Sequence, residues 1–325
     1  MQTYLVTGAA GFIGSKVVEQ LLDRGDAVVG VDNLNDAYDV RLKEWRLKRL
    51  IDRDGFTLVR ADIADAAAVG KLFGKNAYAA IINLAARAGV RQSVEDPQVY
   101  IDTNITGTLN LLREAGEHKV PKFVLASTSS LYGGENPRPY SETLNTDRPL
   151  SPYASTKKAA EALCFTYHYL YGVDVTVLRY FTVYGPAGRP DMSLFRFVQW
   201  ISEGHPVLVY GDGTQERDFT YVDDIARGTI AGLKQVGYEI INLGSDEPVV
   251  LADAVKLVEE YTGKPAKLTS KPRHPADVQA TWADISKADT LLGWRPQTDF
   301  RTGVRNLVDW YNANRDWAAR IVTGN

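Results

Sequence analysis

Apolar residues along the first 180 positions fall into short, nearly continuous runs, separated for the most part by stretches of helical periodicity. The runs read TYLVTG, AVVGVDN, FTLVRADI, YAAIINLAA, KFVLAST and DVTVLRYF. A strand that is apolar at consecutive rather than alternate positions is covered on both faces, so these runs predict a parallel sheet with helices on either side. The first run ends at Gly8, and a helical pattern follows from Phe12 to Arg24, with Gly25 as its stop signal. After about residue 180 proline and glycine become frequent, the segments shorten, and RHPADVQATWADISKADTLLGWRP reads as mostly irregular. The pattern therefore predicts a doubly wound α/β domain over 1–180, with about 217–243 (ERDFTYVDDIARGTIAGL and beyond) returning to it. Residues 181–216 and 244–325 form a smaller, interleaved C-terminal lobe.

Composition narrows the class of partner. The 325 residues are ample for a real core, and a net charge of -3 argues against a nucleic-acid or anionic-membrane footprint. The single cysteine, Cys164, has no partner within the chain, which points to a reducing cytoplasm. The opening MQTYLVTGAAGF enters a strand directly, with no charged leader or signal-peptide core, and no apolar stretch reaches membrane-spanning length.

The segment GAAGFIG places Gly8, Gly11 and Gly14 directly after a predicted strand and at the start of a helix. Gly8 permits the tight turn, Gly11 lets the backbone approach a pyrophosphate, and Gly14 allows close helix–sheet packing. Asp32 ends the next strand, 18 residues after Gly14. A carboxylate there can accept both ribose hydroxyls of an adenosine and would repel a ribose phosphate, so NAD is favoured over NADP on a Rossmann-type sheet. Asp62 and Ile63, after the third strand, are placed to flank the adenine.

In SPYASTKKAAEAL, Tyr153 and Lys157 are four apart in a helical pattern and share a face. A phenol titrates near about 10, but a neighbouring ammonium, helped by an oxidised nicotinamide, would lower that value enough to make a general base. The same pair would also suit an exposed helix face. Upstream, LASTSSLYG sets hydroxyls at the carboxyl end of the fifth strand, where Thr128 could share a substrate proton with Tyr153 or simply bond its own turn.

The glycine pattern, the hydroxyl cluster before LYG and the YxxxK spacing together resemble the extended short-chain dehydrogenase/reductase family over essentially the whole chain. The segments NLAARAGVRQS, YASTKKAAEAL, RYFTVYGPAGRPDM and ERDFTYVDDI are similar to those of its nucleotide-sugar 4-epimerases, and among these to UDP-glucuronate 4-epimerases. The resemblance implies Thr128, Tyr153 and Lys157 as the catalytic triad, with Tyr180 and Phe181 near the nicotinamide; Asn104 matches a cofactor-binding Asn near the active site, or is an ordinary helix-surface residue. It implies that Phe12, Ile13, Asn33, Leu84, Ala85 and Ala86 also line the cofactor site, and it calls for no metal. Arg217 resembles the arginine that grips the diphosphate, and Asp277 the acid that binds the uridine ribose, although Ala276 stands where related enzymes usually have Gly. Thr281 occupies the position of a bulky Tyr in galactose epimerases, which relaxes the limit on sugar size.

The loop FTVYGPAGRPDM carries the finer expectation. Many family members have Asn where this chain has Thr182, and the resemblance implies that Thr182, Ser129, Ser130, Arg87 and Arg189 surround the sugar and its carboxylate. Alternatively Arg189 caps a helix or pairs with Asp191. The activity implied is NAD-dependent inversion of carbon 4 of UDP-glucuronate, giving UDP-galacturonate through a 4-keto intermediate. A UDP-glucuronate decarboxylase, a 4-epimerase of neutral or N-acetylated UDP-hexoses and a non-catalytic NAD-responsive binder are the competing readings. The family commonly pairs two helices from each subunit, which here implies a homodimer through 97–116 and 153–171.

Overall fold

In a computed structural model that describes residues 1–74, 77–272 and 278–323, the six apolar runs form the first six strands of one parallel sheet. These are β1 (Thr3–Thr7), β2 (Ala27–Asp32), β3 (Phe56–Arg60), β4 (Ala80–Asn83), β5 (Lys122–Thr128) and β6 (Asp174–Tyr180). Four short strands of the C-terminal half lie elsewhere: β7 (Thr182–Tyr184), β8 (Pro206–Tyr210), β9 (Glu216–Tyr221) and, later, β11 (Pro248–Val250). β12 (Lys267–Lys271) pairs in parallel with β8, while β10 (Tyr238–Leu243) joins the large sheet.

The large sheet runs β10-β6-β5-β4-β1-β2-β3, every neighbouring pair parallel. The order reverses between β1 and β4, so the crevice beyond the carboxyl ends of these two strands is where such a sheet binds ligands. Strand residues explain the continuous apolar runs. Phe123 and Leu125 of β5 face one core, Val124 and Ala126 the other, and Leu5 is set against Tyr4 and Val6 in the same way on β1.

The helices fill both sides. In chain order they are α1 (Phe12–Asp23), α2 (Val40–Lys48), α3 (Ala66–Phe73), α4 (Gln92–Glu95), α5 (Pro97–Tyr100), α6 (Gly107–Glu117) and α7 (Pro152–Tyr171). They continue with α8 (Ser193–Glu203), α9 (Val222–Ala231), α10 (Leu251–Thr262), α11 (Ser286–Leu292) and α12 (Phe300–Ala313). Val17 and Leu21 of α1, Ile225 of α9 and Ala288 of α11 pack on one face of the sheet; Leu72 of α3, Leu111 of α6 and Ala160 of α7 pack on the other. Gly25, at φ +79°, takes the left-handed conformation just past α1.

A third core joins α8, α10 and α12 through Phe197, Val258 and Leu307, and it includes Leu42 from α2. The three-stranded sheet β11-β9-β7 lies beside it. Within 217–243, β9 stays in that small sheet, whereas α9 rests on α1 and β10 extends the large sheet beyond β6.

Candidate functional site

The turn after β1 is built around contacts too close for any side chain. Gly8 sits at φ +69°, and a Cβ on it would lie 2.8 Å from the Ala85 nitrogen. A Cβ on Gly14 would lie 2.0 Å from the Gly8 carbonyl oxygen, and one on Gly11 would lie 2.8 Å from the same atom. No side chain caps the first turn of α1, so its amides and the positive end of its dipole are free to take a phosphate. Asp32 is buried at the end of β2, accepting from the Ala10 amide at 3.1 Å and the Leu34 amide at 2.8 Å. Asn33 donates to Asp62 at 2.8 Å, which ties the ends of β2 and β3 together.

These residues line one cavity of about 1430 Å³ with Phe12, Ile13, Ile63, Leu84, Ala85 and Ala86. Typical single-ligand pockets span about 300–1,000 Å³, so this one has room for a dinucleotide and a second molecule. The backbone cradle, the uncapped helix end and the acid at the tip of β2 fit a dinucleotide.

Thr128, Ser129, Ser130, Tyr153, Lys157, Tyr180 and Phe181 line the same cavity. Ser151 caps α7 by accepting from the Ala154 amide at 3.2 Å, and Pro152 opens its first turn, which sets Tyr153 there. Thr128 Oγ1 accepts from the Ser130 amide and donates to Ser130 Oγ, both at 3.1 Å. Lys157 is buried and donates to the Ala126 carbonyl at 2.8 Å. Burial pushes its ammonium down to about 8, against the opposing charge of Glu161. Burial pushes the Tyr153 hydroxyl up, while a hydrogen bond with Thr128 and the charge of Arg189 pull it down. The lowered phenol expected from the Tyr–Lys spacing is thus not produced by the chain alone, because desolvation outweighs both favourable contacts. Beneath the pair, Glu161 accepts from Arg179 at 2.9 and 2.7 Å and from Ser127 at 2.5 Å, which fixes α7 against β5 and β6.

Arg87, Thr182, Arg189 and Arg217 also line the cavity. Arg189 pairs with Asp191, Nε to Oδ1 at 3.0 Å and Nη2 to Oδ2 at 2.5 Å, and Nη2 also donates to the Ala88 carbonyl at 3.2 Å. Arg217 donates to the carbonyls of Glu216 and Gln279 at 2.8 and 3.3 Å. Two expected residues stand back. Asn104 is buried away from the cavity, accepting from the Arg87 amide at 2.9 Å and donating to the Arg87 carbonyl and Thr156 at 3.0 Å; its amide is consumed in shaping the loop that carries Arg87. Thr281 is buried against β9, where its hydroxyl accepts from the Asp218 amide at 3.2 Å, and it does not line the cavity. Ala276 and Asp277 lie outside the described residues.

Sequence reasoning missed other lining residues. Lys43 is buried 3.7 Å from Asp32 and donates to Asn35 at 3.1 Å. Tyr100 meets Tyr153 edge-on at 6.2 Å, and the Arg91 guanidinium lies 3.8 Å from the Tyr210 ring centre. Arg196 and Gln215 complete this wall. Behind it, Arg46 of α2 donates to the Ala10 carbonyl at 3.1 Å and the Ala187 carbonyl at 2.6 Å, joining the glycine turn to the GPAGRPDM loop. Arg91 lies in the segment NLAARAGVRQS; the others belong to no local pattern that flags chemistry.

Comparison with known proteins places this geometry. A family model described as GDP-mannose 4,6 dehydratase matches residues 5–307. The chain is 56% identical over 315 residues to a UDP-glucuronate 4-epimerase of Thermodesulfobacterium geofontis, covering 97% of both chains. It belongs to the extended short-chain dehydrogenase/reductases, in their UDP-glucuronate 4-epimerase group. Among solved structures, the UDP-glucuronic acid 4-epimerase of Bacillus cereus, in complex with UDP-glucuronic acid and NAD, matches with a TM-score of 0.91 at 39% identity over 96% of this chain and 99% of that one. A UDP-glucose 4-epimerase of Thermotoga maritima with UDP-glucose matches with a TM-score of 0.88 at 32% identity over 96% of this chain and 99% of that one. Both fall within the extended short-chain dehydrogenase/reductase fold, and the UDP-glucuronate 4-epimerase shares more sequence with this chain.

Proposed function

We propose that this chain is an NAD-dependent epimerase that inverts carbon 4 of UDP-glucuronate to give UDP-galacturonate. The observation that carries the reading is one cavity holding Tyr153, Lys157 and Thr128 at the end of β5 and Arg189 with Thr182 on the facing loop. The first set suits proton removal from a sugar hydroxyl; the second is a cation with hydroxyl donors, suited to a sugar carboxylate.

The glycine turn and Asp32 would hold NAD, which when bound would supply reversible hydride chemistry at carbon 4 with no net consumption. Tyr153 takes the proton of the 4-hydroxyl, Thr128 shares that hydrogen bond, and the Lys157 charge favours the phenolate. Burial raises the Tyr153 hydroxyl, and the positive charge of an oxidised nicotinamide would add to that of Lys157 in favouring the phenolate. The resulting 4-keto uronic acid is a β-keto acid. It loses carbon dioxide when the bond to the carboxylate aligns with the carbonyl π system. Thr182, Ser129, Ser130, Arg87 and Arg189 suppress that loss by holding the carboxylate out of alignment. Arg217 grips the diphosphate, with Asp277 on the uridine ribose, while the keto sugar turns to present its other face. Tyr153 then returns the proton.

The described residues include no helix long and apolar enough to cross a membrane. A homodimer through 97–116 and 153–171 is in keeping with the exposed Phe165, Tyr169 and Leu170 of α7 and with Ile101. Sedimentation at the mass of one chain would remove that part of the reading. A cytoplasmic setting goes with the lone, buried Cys164.

The deciding experiment incubates purified protein with UDP-glucuronate, without added NAD, and resolves the products by chromatography with mass detection. A product of unchanged mass that elutes as UDP-galacturonate, absent with Tyr153→Phe, is the expected result. A product lighter by carbon dioxide as the main species would make the protein a decarboxylase instead.

A further inference from the structure

The GPAGRPDM loop holds a carboxylate of its own beside the arginine assigned to the sugar. Asp191 takes the Nε and Nη2 edge of Arg189, the two parallel donors that suit a carboxylate, and Nη2 is also spent on the Ala88 carbonyl. Among the described residues Nη1 makes no hydrogen bond, so the guanidinium reaches the cavity with the two N–H groups of that one nitrogen uncommitted. Both residues line that cavity, on the side facing Ser129, Ser130 and Tyr153.

We propose that Asp191 is a specificity-determining residue, which occupies the two-donor Nε–Nη2 edge of Arg189 so that a sugar carboxylate is held from Nη1 alone and not by the planar fork. This rests on the epimerase reading above.

The consequence for product follows from hydrogen-bond geometry. A guanidinium fork fixes the plane of any carboxylate it holds with two bonds, and would impose its own plane on the sugar's C6 group. Donation from Nη1 alone leaves that plane to be set by Thr182 and the two serine hydroxyls. Asp191 also places a like charge near the substrate anion, which weakens its binding. The pocket thereby gives up affinity for control over orientation. In the side reaction the C5–C6 bond of the 4-keto acid breaks, its electron pair moves into the C4 carbonyl as an enolate, and carbon dioxide leaves. A proton then adds at C5, and hydride returned to C4 gives a UDP-pentose.

The test compares wild type with Asp191→Asn and Asp191→Ser, measuring KM for UDP-glucuronate, the ratio of UDP-pentose to UDP-galacturonate, and competitive inhibition by UDP-glucose, which has no carboxylate. In either variant, a KM lowered by about tenfold, the gain of one charge-assisted hydrogen bond, should accompany a higher pentose fraction and unchanged inhibition by UDP-glucose. A merely structural aspartate would weaken both nucleotides together and leave the product ratio alone, and that result overturns the proposal. So does any other combination in which the KM and the pentose fraction fail to move together. If wild type itself forms no UDP-galacturonate, the failure is of the epimerase reading and not of the role given to Asp191.

Discussion

At the scale of single residues, Lys157 is the informative group, because burial rather than pairing governs its proton. Its ammonium is pushed down to about 8 inside the fold, against an unfolded value near about 10.4. Below pH 8 both states carry the proton and the folded state bears the full cost of a buried charge. Between 8 and 10.4 the unfolded state holds more protons, so this residue's contribution to stability rises with pH. Lys157→Met should therefore change the melting temperature most favourably below pH 8, and lose that advantage progressively up to pH 10. A gap between variant and wild-type melting temperatures that stays constant from pH 7 to pH 10 would show that the burial cost has been misassigned. Tyr153 and Lys157 were legible because helical spacing ties them together in sequence, as were Gly8, Gly14 and Asp32 through a turn with fixed offsets. Arg46 was not, since Ala187, which accepts from it, lies 141 positions away; Lys43, although its partners Asp32 and Asn35 are near in sequence, falls in no recognised motif. Asn104 and Thr281, both named from the sequence, have side chains engaged inside the fold, Asn104 with Arg87 and Thr156 and Thr281 with the Asp218 amide.

At the scale of elements, the strands of the large sheet were readable from their continuous apolar runs. The small ones were not. β12 is exposed along its whole length and β7 and β11 are three residues each, so neither periodicity nor hydrophobicity marks them. Helix α1 was bounded well because glycines punctuate both ends, and the first of these boundaries has a direct test. Gly14→Ala puts a methyl 2.0 Å from a backbone oxygen of the turn that precedes it. Backbone cannot yield as a flexible side chain does, so the turn must open, at a cost of about 1–3 kcal/mol or more. The variant should purify with several-fold less NAD than wild type, measured by chromatography of the denatured supernatant. Equal occupancy would mean that the turn does not set the cofactor's seat.

At the scale of the molecule, the core formed by α8, α10 and α12 is tied to the early part of the chain. Leu42 of α2 packs in that core, and Trp45 meets Trp310 edge-on at 5.6 Å. A change of composition near residue 180 shows where a pattern ends but not which helix makes such a tie. Arg46 is its sharpest expression, with one guanidinium bonded to Ala10 in the glycine turn and to Ala187 in the arginine loop. Whatever steadies one of these segments steadies the other. In thermodynamic language the two occupancies are linked, and linkage is reciprocal: if a bound dinucleotide tightens a UDP-sugar by some factor, the UDP-sugar tightens the dinucleotide by the same factor. Arg46→Met should shrink both effects together, by several-fold, when NAD retention is measured with and without UDP-glucuronate. An enzyme that restores its oxidant in every cycle would then be most firmly loaded at the moment its 4-keto intermediate is free to turn.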